Sequence, residues 1–198
     1  MGKILAIKTS DLFPDGVKSG FFKIRKEGIL QIINERSVLL ERSLLEEDEN
    51  YQQIIPQIIL KVRDHIFIHR ITQKSSENRL VDMYPIFLGG HVDEGDLSIE
   101  DAANREFDEE IDYRGRILSK EFQGLIKLHD EKVNRVHTGL VWIYEGDSML
   151  WKHRDEDLVD GKFVSIKDMD KLKAKMNYWS RLYLPELRKV ILNEKFNT

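Results

Sequence analysis

Between Pro85 and Glu110 the chain passes from a short apolar run into Gly89-Gly90, through a polar stretch holding a third glycine at Gly95, and into an acidic amphipathic segment. That order reads as strand, tight loop, helix. Ser98 with Asp101 three residues on is a capping-box-like start, and acids in a first turn suit the positive end of the helix dipole. A helix is therefore expected from about Ile99 to Ile111. At about 100° per residue, Ile99, Ala102, Ala103 and Phe107 form its apolar stripe. Glu106 and Glu110 fall inside that stripe, and Glu109 lies on its shoulder beside Arg105.

A helix that only had to pack would place leucines at those positions, because burying an unpaired carboxylate costs several kcal/mol. Like charges at i and i+4 add roughly 0.2 to 0.5 kcal/mol of repulsion. A hard divalent cation would offset both, since carboxylate oxygens are its preferred ligands and spacings of three and four residues bring them to one side. The plainer alternative is that the end of the helix leaves the core and its glutamates are solvated. The glycines in front of the helix count against that reading, because glycine allows positive φ and a close approach of backbone to a ligand.

Strand and helix signals alternate on either side of this segment. Ile54 to Val62, a turn near Arg63-Asp64, and His65 to Ile71 read as a β-hairpin. Lys74 to Asn78 is a polar loop. Gly124 to His129 and Val136 to Tyr144 read as a second pair of strands joined by a charged turn at Asp130 to Asn134. Lys162 to Ser165 adds a short strand, with helices over about 166 to 175 and 178 to 194. Such mixing favours an α/β sandwich. Residues 1 to 50 carry a strand-like opening (Lys3 to Lys8), a Pro14-Asp15-Gly16 turn, the apolar run Phe21 to Ile24, and an ambiguous apolar pattern from Ile29 to Leu45. They read as an N-terminal accessory arm on a domain of residues 51–198.

Composition excludes several classes of function. None of the 198 residues is cysteine, so there is no disulfide framework, thiolate nucleophile or thiolate zinc site. A net charge of −4, with Lys and Arg scattered, argues against nucleic acid as the main partner. The apolar run Ile4 to Ile7 is too short for a membrane span, and a cytoplasmic location is expected by default.

Taken together, Gly90, Asp96 and the hexad Arg105-Glu106-Phe107-Asp108-Glu109-Glu110 resemble the box of the Nudix (MutT-like) hydrolases: a glycine, five residues, an acid, a spacer, then Arg-Glu-x-x-Glu-Glu. Three positions depart from that pattern. Asp96 stands where the family has Glu, the spacer before Arg105 is one residue longer, and Asp112-Tyr113 replaces a glycine and an aliphatic residue. Asp tolerates the left-handed conformation better than most residues, so Asp112 still allows a helix stop. The resemblance implies an α/β/α sandwich with a mixed central sheet and an N-terminal extension. It implies Mg2+- or Mn2+-dependent cleavage of a nucleoside diphosphate linked to another moiety. Glu106, Glu109 and Glu110 would be metal ligands, Glu109 also a candidate base, and Arg105 would hold a helix carboxylate. Gly89, Gly90 and His91 would face the substrate. The loop His153 to Gly161 would supply a further acid, for which Glu156 is the choice over Asp155. A homodimer contact through the arm and a non-catalytic, ligand-sensing role are the open alternatives.

Overall fold

The computed structural model describes residues 2–71, 83–154 and 158–194. The polar loop expected at Lys74 to Asn78, and Asp155, Glu156 and Asp157, lie outside the described residues. The chain gathers into two compact units, Met1–Gln57 with Gly89–Glu106 and Phe122–Trp142, and Ile58–Leu88 with Phe107–Glu121 and Ile143–Thr198. Elements are numbered along the chain.

The first unit opens with β1 (Lys3–Lys8), α1 (Thr9–Leu12), β2 (Gly20–Phe22), α2 (Lys26–Arg36), β3 (Ser37–Glu41), α3 (Arg42–Leu45) and the start of β4 (Tyr51–Val62). To these it adds most of α4 (Ile99–Glu110), the end of β7 (Ile117–Lys127), α5 (Lys132–Val136) and the start of β8 (His137–Gly146). The apolar stretch Ile29 to Leu45 is split. Its first half is α2, with Ile29 and Ile33 buried, whereas Leu39 and Leu40 lie in β3. An open edge decides this, because β1 pairs antiparallel with β3 (Leu5 opposite Leu39) on one side and with β4 (Ile7 opposite Gln52) on the other. The remaining strands of the unit follow the order β4, β8, β7, β2, with Phe21 opposite Ile126.

The second unit holds the end of β4, β5 (His65–Ile71), β6 (Ile111–Tyr113), the start of β7, the end of β8, β9 (Trp151–His153), β10 (Leu158–Ser165), a 3-10 turn over Met169–Lys175, and α6 (Tyr178–Glu194). The expected hairpin forms, with Lys61 opposite Ile66, Val62 opposite His65, and Arg63 in the left-handed region at φ 55°. A two-residue connection of this kind matches the twist of the strands. β10 closes on β5 with Phe163 opposite Phe67. Trp151 meets Phe67 edge to face at 4.8 Å, and the Gly161 α-carbon fits beneath it, since a Cβ there would stand 2.7 Å from Trp151 Cζ2. Tyr183, Leu184, Leu187 and Ile191 form the buried stripe of α6.

Strand β4 is buried along nearly its whole length without alternation, and from Ile54 its residues are mostly apolar, as suits a strand covered on both faces. Ile54, Ile58, Ile59 and Leu60 have no exposed surface, and each such side chain contributes about 1.5 to 3 kcal/mol relative to exposure. Gln52 bonds Thr138 near the start of β4 and β8, and Lys61 pairs with Glu145 near their ends, so these two strands run parallel. β1, β2, β5 and β10 pair antiparallel with their neighbours, and the sheet is therefore mixed. Among the described residues no helix is long and apolar enough to cross a membrane.

Candidate functional site

Helix α4 begins where its cap places it: the Asp101 amide donates to Ser98 Oγ at 3.0 Å and the Ala102 amide to the Ser98 carbonyl at 3.1 Å. Ile99, Ala102, Ala103 and Phe107 are buried, as the stripe requires. Glu106 and Glu110 are half-buried at the stripe's edge, and Glu109 is exposed.

Arg105 organises the loop before the helix. Its guanidinium donates through Nε and Nη2 to both oxygens of Asp96 at 2.9 and 2.8 Å, through Nη1 to Glu106 Oε1 at 2.8 Å, and through Nη2 to the His91 carbonyl at 2.9 Å. A planar five-donor cation suits this fork, and lysine would not. The Asp96 carboxylate is only 6% exposed, accepts from the Asp93 amide at 2.7 Å, and is held below the usual carboxylate range by its bonds to Arg105. Asp96 thus anchors the loop to the helix through Arg105. Sequence reasoning treated it as a replaced acid and expected Arg105 to hold a helix carboxylate; the guanidinium holds both.

The three loop glycines separate by role. Gly89 has φ 139°, which side-chain-bearing residues rarely adopt. Gly90 lies against the Glu106 carboxylate, where an added Cβ would stand 2.6 Å from Cδ. Gly95 has neither constraint, with nothing within 4 Å of its would-be Cβ. Gly90→Ala should therefore push the Glu106 carboxylate aside while barely touching the core. The expected outcome is a fall in turnover of tenfold or more with unfolding free energy changed by less than about 1 kcal/mol, measured by initial rates beside urea denaturation. Equal loss of stability and activity would contradict it.

His91 turns away from a charged role. Its Nε2 stands 2.8 Å from Gln53 Oε1 and 3.4 Å from His137 Nε2. Gln53 Nε2 donates to the Leu45 carbonyl at 3.1 Å, so its Oε1 must accept and His91 Nε2 carries the proton. Burial first, then Arg42 and His137, push the His91 pKa down to about 3. The imidazole is neutral at working pH, and if it meets a phosphate it does so as a neutral group.

This link belongs to a buried polar network that sequence reasoning missed. The Nζ of Lys127, fully buried, lies 2.5 Å from Gln52 Oε1 and 2.8 to 2.9 Å from the carbonyls of Asn134, Arg135 and His137, four acceptors sharing the three N–H donors of an ammonium. Burial pushes its ammonium down to about 7, opposed by Glu49. Gln52 Nε2 in turn reaches Thr9 Oγ1 and the Arg135 carbonyl. Lys127 inside one apolar strand run, and Gln52-Gln53 directly before another, were the available signal.

At the other end, α4 stops at Glu110 without a left-handed residue at Asp112. The chain passes directly from Glu110 into β6, which pairs with β9 through Asp112 opposite Lys152, so no glycine is needed there. Asp112 accepts from Arg114 at 2.9 Å, and Arg154 lies 3.6 Å from it. Arg154 also donates through Nη1 to the Asp108 carbonyl at 2.7 Å and through its amide to the Glu110 carbonyl at 3.3 Å. It thereby covers a helix terminus that has no basic residue of its own in the last turn.

The donors that could meet a metal here are carboxylates on one helix, a set suited to hard cations. The whole Glu106 carboxylate lies against Gly90, where a Cβ would stand 2.6 Å from Oε1, the oxygen that accepts from Arg105. These residues fit an oxygen-coordinated cation in type. Among the described residues no three acidic or imidazole side chains stand as a group able to enclose an ion by themselves.

Comparison with known proteins identifies the family. The sequence model of the NUDIX domain matches residues 58–187. Protein YmaB of Bacillus subtilis is 24% identical over 154 residues, covering 72% of this chain and 74% of its own length. Among solved structures, Tm1382, a proposed Nudix hydrolase, superposes with a TM-score of 0.80 at 26% identity, covering 95% of this chain and 99% of its own. That likeness takes in most of the N-terminal residues outside the domain match. The NUDIX domain of Shewanella oneidensis NrtR, solved with ADP ribose, shares the fold at a TM-score of 0.58 and 11% identity, over 71% of this chain and 88% of that one. With Gly90 seated on Glu106, Arg105 forked between Asp96 and Glu106, and a domain match that spans about two-thirds of its length, the chain belongs to the NUDIX family.

Proposed function

We propose that this protein hydrolyses the diphosphate bond of a nucleoside diphosphate linked to another moiety, with Mg2+ or Mn2+ held by Glu106, Glu109 and Glu110. The observation that carries the reading is the clamp of Arg105 on Asp96 and Glu106 beneath Gly90. It fixes one carboxylate at the loop where a phosphate chain would pass. A bound divalent cation would offset the charge of the phosphates and activate water. The chain's own part is to position: Arg105 fixes the rotamer of Glu106, Gly89-Gly90 lets backbone approach the substrate, and Glu109, exposed on the helix, would take a proton from an attacking water. Substitution at phosphorus needs positioning and charge stabilisation more than covalent help.

Two measurements test the assignment. Mn2+ titrated calorimetrically into the protein should bind, and Glu106→Gln should weaken that binding at least tenfold; equal affinity in both would remove Glu106 from the ligand set. Glu156, outside the described residues, is the proposed second source of a base. Glu156→Gln should lower kcat by about a hundredfold with KM little changed, and Asp155→Asn should be near neutral. Normal turnover in Glu156→Gln would leave the base on the helix.

A further inference from the structure

The N-terminal residues build a cavity that the hydrolytic reading does not use. It has a volume of about 480 Å3, within the range of small-molecule sites, and its walls are largely Phe13, Phe22, Ile24, Ile29 and Leu125. Two further features point to a ligand. The first is Gly28, which lines the cavity from within α2, where glycine is the poorest residue short of proline. Nothing lies within 4 Å of the place its Cβ would occupy, so neighbouring atoms do not require the glycine. Gly28 is itself exposed, so a side chain at this lining position would narrow the opening. The second is charge. Lys18 and Arg25 both line the cavity and are exposed, and among the described residues neither forms an ion pair, against a single lining acid, Asp15. An acidic protein thus presents unpaired cations around an apolar hollow.

We infer that this cavity binds a small amphiphilic anion, an apolar ring or short acyl chain seated on Phe13, Phe22 and Ile29 with its carboxylate, sulfonate or phosphate toward Lys18 and Arg25. Apolar contact would supply the affinity, and the two cations would select an anion over a neutral molecule of equal size.

The test is binding alone, so it stands or falls separately from the hydrolytic activity. Anilinonaphthalene sulfonate, an aromatic anion of suitable size, is titrated into the full chain by fluorescence, with stoichiometry from calorimetry. One site per chain is expected, and decanoate should displace the probe. Gly28→Leu, which fills the cavity with a better helix former, should weaken binding at least tenfold. Gly28→Ala should weaken it two- to threefold and serves if the leucine variant does not fold. Lys18→Ala with Arg25→Ala should weaken the sulfonate at least fivefold while neutral N-phenylnaphthylamine changes by less than twofold. Unchanged sulfonate affinity in both Gly28 variants would overturn the site, and equal losses for the charged and neutral probes would overturn its preference for anions. Probe binding that disappears as protein concentration rises would also overturn it, by making a second copy of this chain the occupant.

Discussion

Glu110→Gln is expected to lower metal-dependent turnover by about three orders of magnitude while leaving the fold intact. The substitution keeps shape and removes one charge, so packing around Ile111 and Phe107 is undisturbed. Three acids, Asp108, Glu109 and Glu110, occupy the C-terminal turn of α4, the end at which the helix dipole is itself negative. Each such charge costs about 0.3 to 1 kcal/mol, and Glu106 to Glu110 adds an i,i+4 repulsion of roughly 0.2 to 0.5 kcal/mol. Arg154 covers part of this through the Asp108 and Glu110 carbonyls. A packing helix would have no cause to keep the arrangement. The variant should therefore be as stable as the parent or slightly more so in urea denaturation, while its rate collapses. Wild-type turnover would remove Glu110 from the site, and a collapse in stability would make its role structural.

Lys127→Met should cost about 3 to 5 kcal/mol of folding free energy, a large share of the 5 to 15 kcal/mol typical of a domain. Methionine replaces the apolar stem of the side chain but leaves Gln52 Oε1 and three carbonyls without their buried donor. The parent protein should also show a particular pH dependence. Burial sets the folded pKa near 7 against 10.5 for an unperturbed lysine, so between these values the unfolded chain holds a proton that the folded one releases. Stability then rises with pH across that window, and the penalty is fully present below about pH 7. The methionine variant should lack this component, visible as a smaller slope of unfolding free energy against pH between 7 and 10. Equal slopes in the two proteins would show that Lys127 keeps its ordinary pKa when folded.

The parts legible in the sequence are those specified by neighbours along the chain. Ser98 and Asp101 start α4 through bonds within one turn, and β-branched residues flanking Arg63-Asp64 form a hairpin closed by two residues. Gly89 and Gly90 mark a loop whose constraint comes from its own φ and from a helix a few residues on. What escaped depends on partners far away in sequence. Leu39 and Leu40 fit a helix as well as a strand until β1 supplies an edge. Asp112 looks like a helix stop until β9, some forty residues later, pairs with it. Gln52 and Lys127 look like polar interruptions of two strands, and only 75 residues of separation closed by a 2.5 Å bond shows them to be one structure.

The central claim is that the loop and helix serve the cleavage of a diphosphate, and phosphorus NMR of product formation tests it most directly. ADP-ribose, sugar nucleotides, dinucleoside polyphosphates and nucleoside triphosphates are each incubated with the protein and Mg2+ or Mn2+, with and without chelator. At least one of them should lose its diphosphate resonance and gain phosphate-ester products only when metal is present, with Glu110→Gln inactive on the same compound. Binding of such compounds without any change in their phosphorus spectrum, in either metal, would contradict hydrolysis and make the protein a NUDIX-fold ligand sensor.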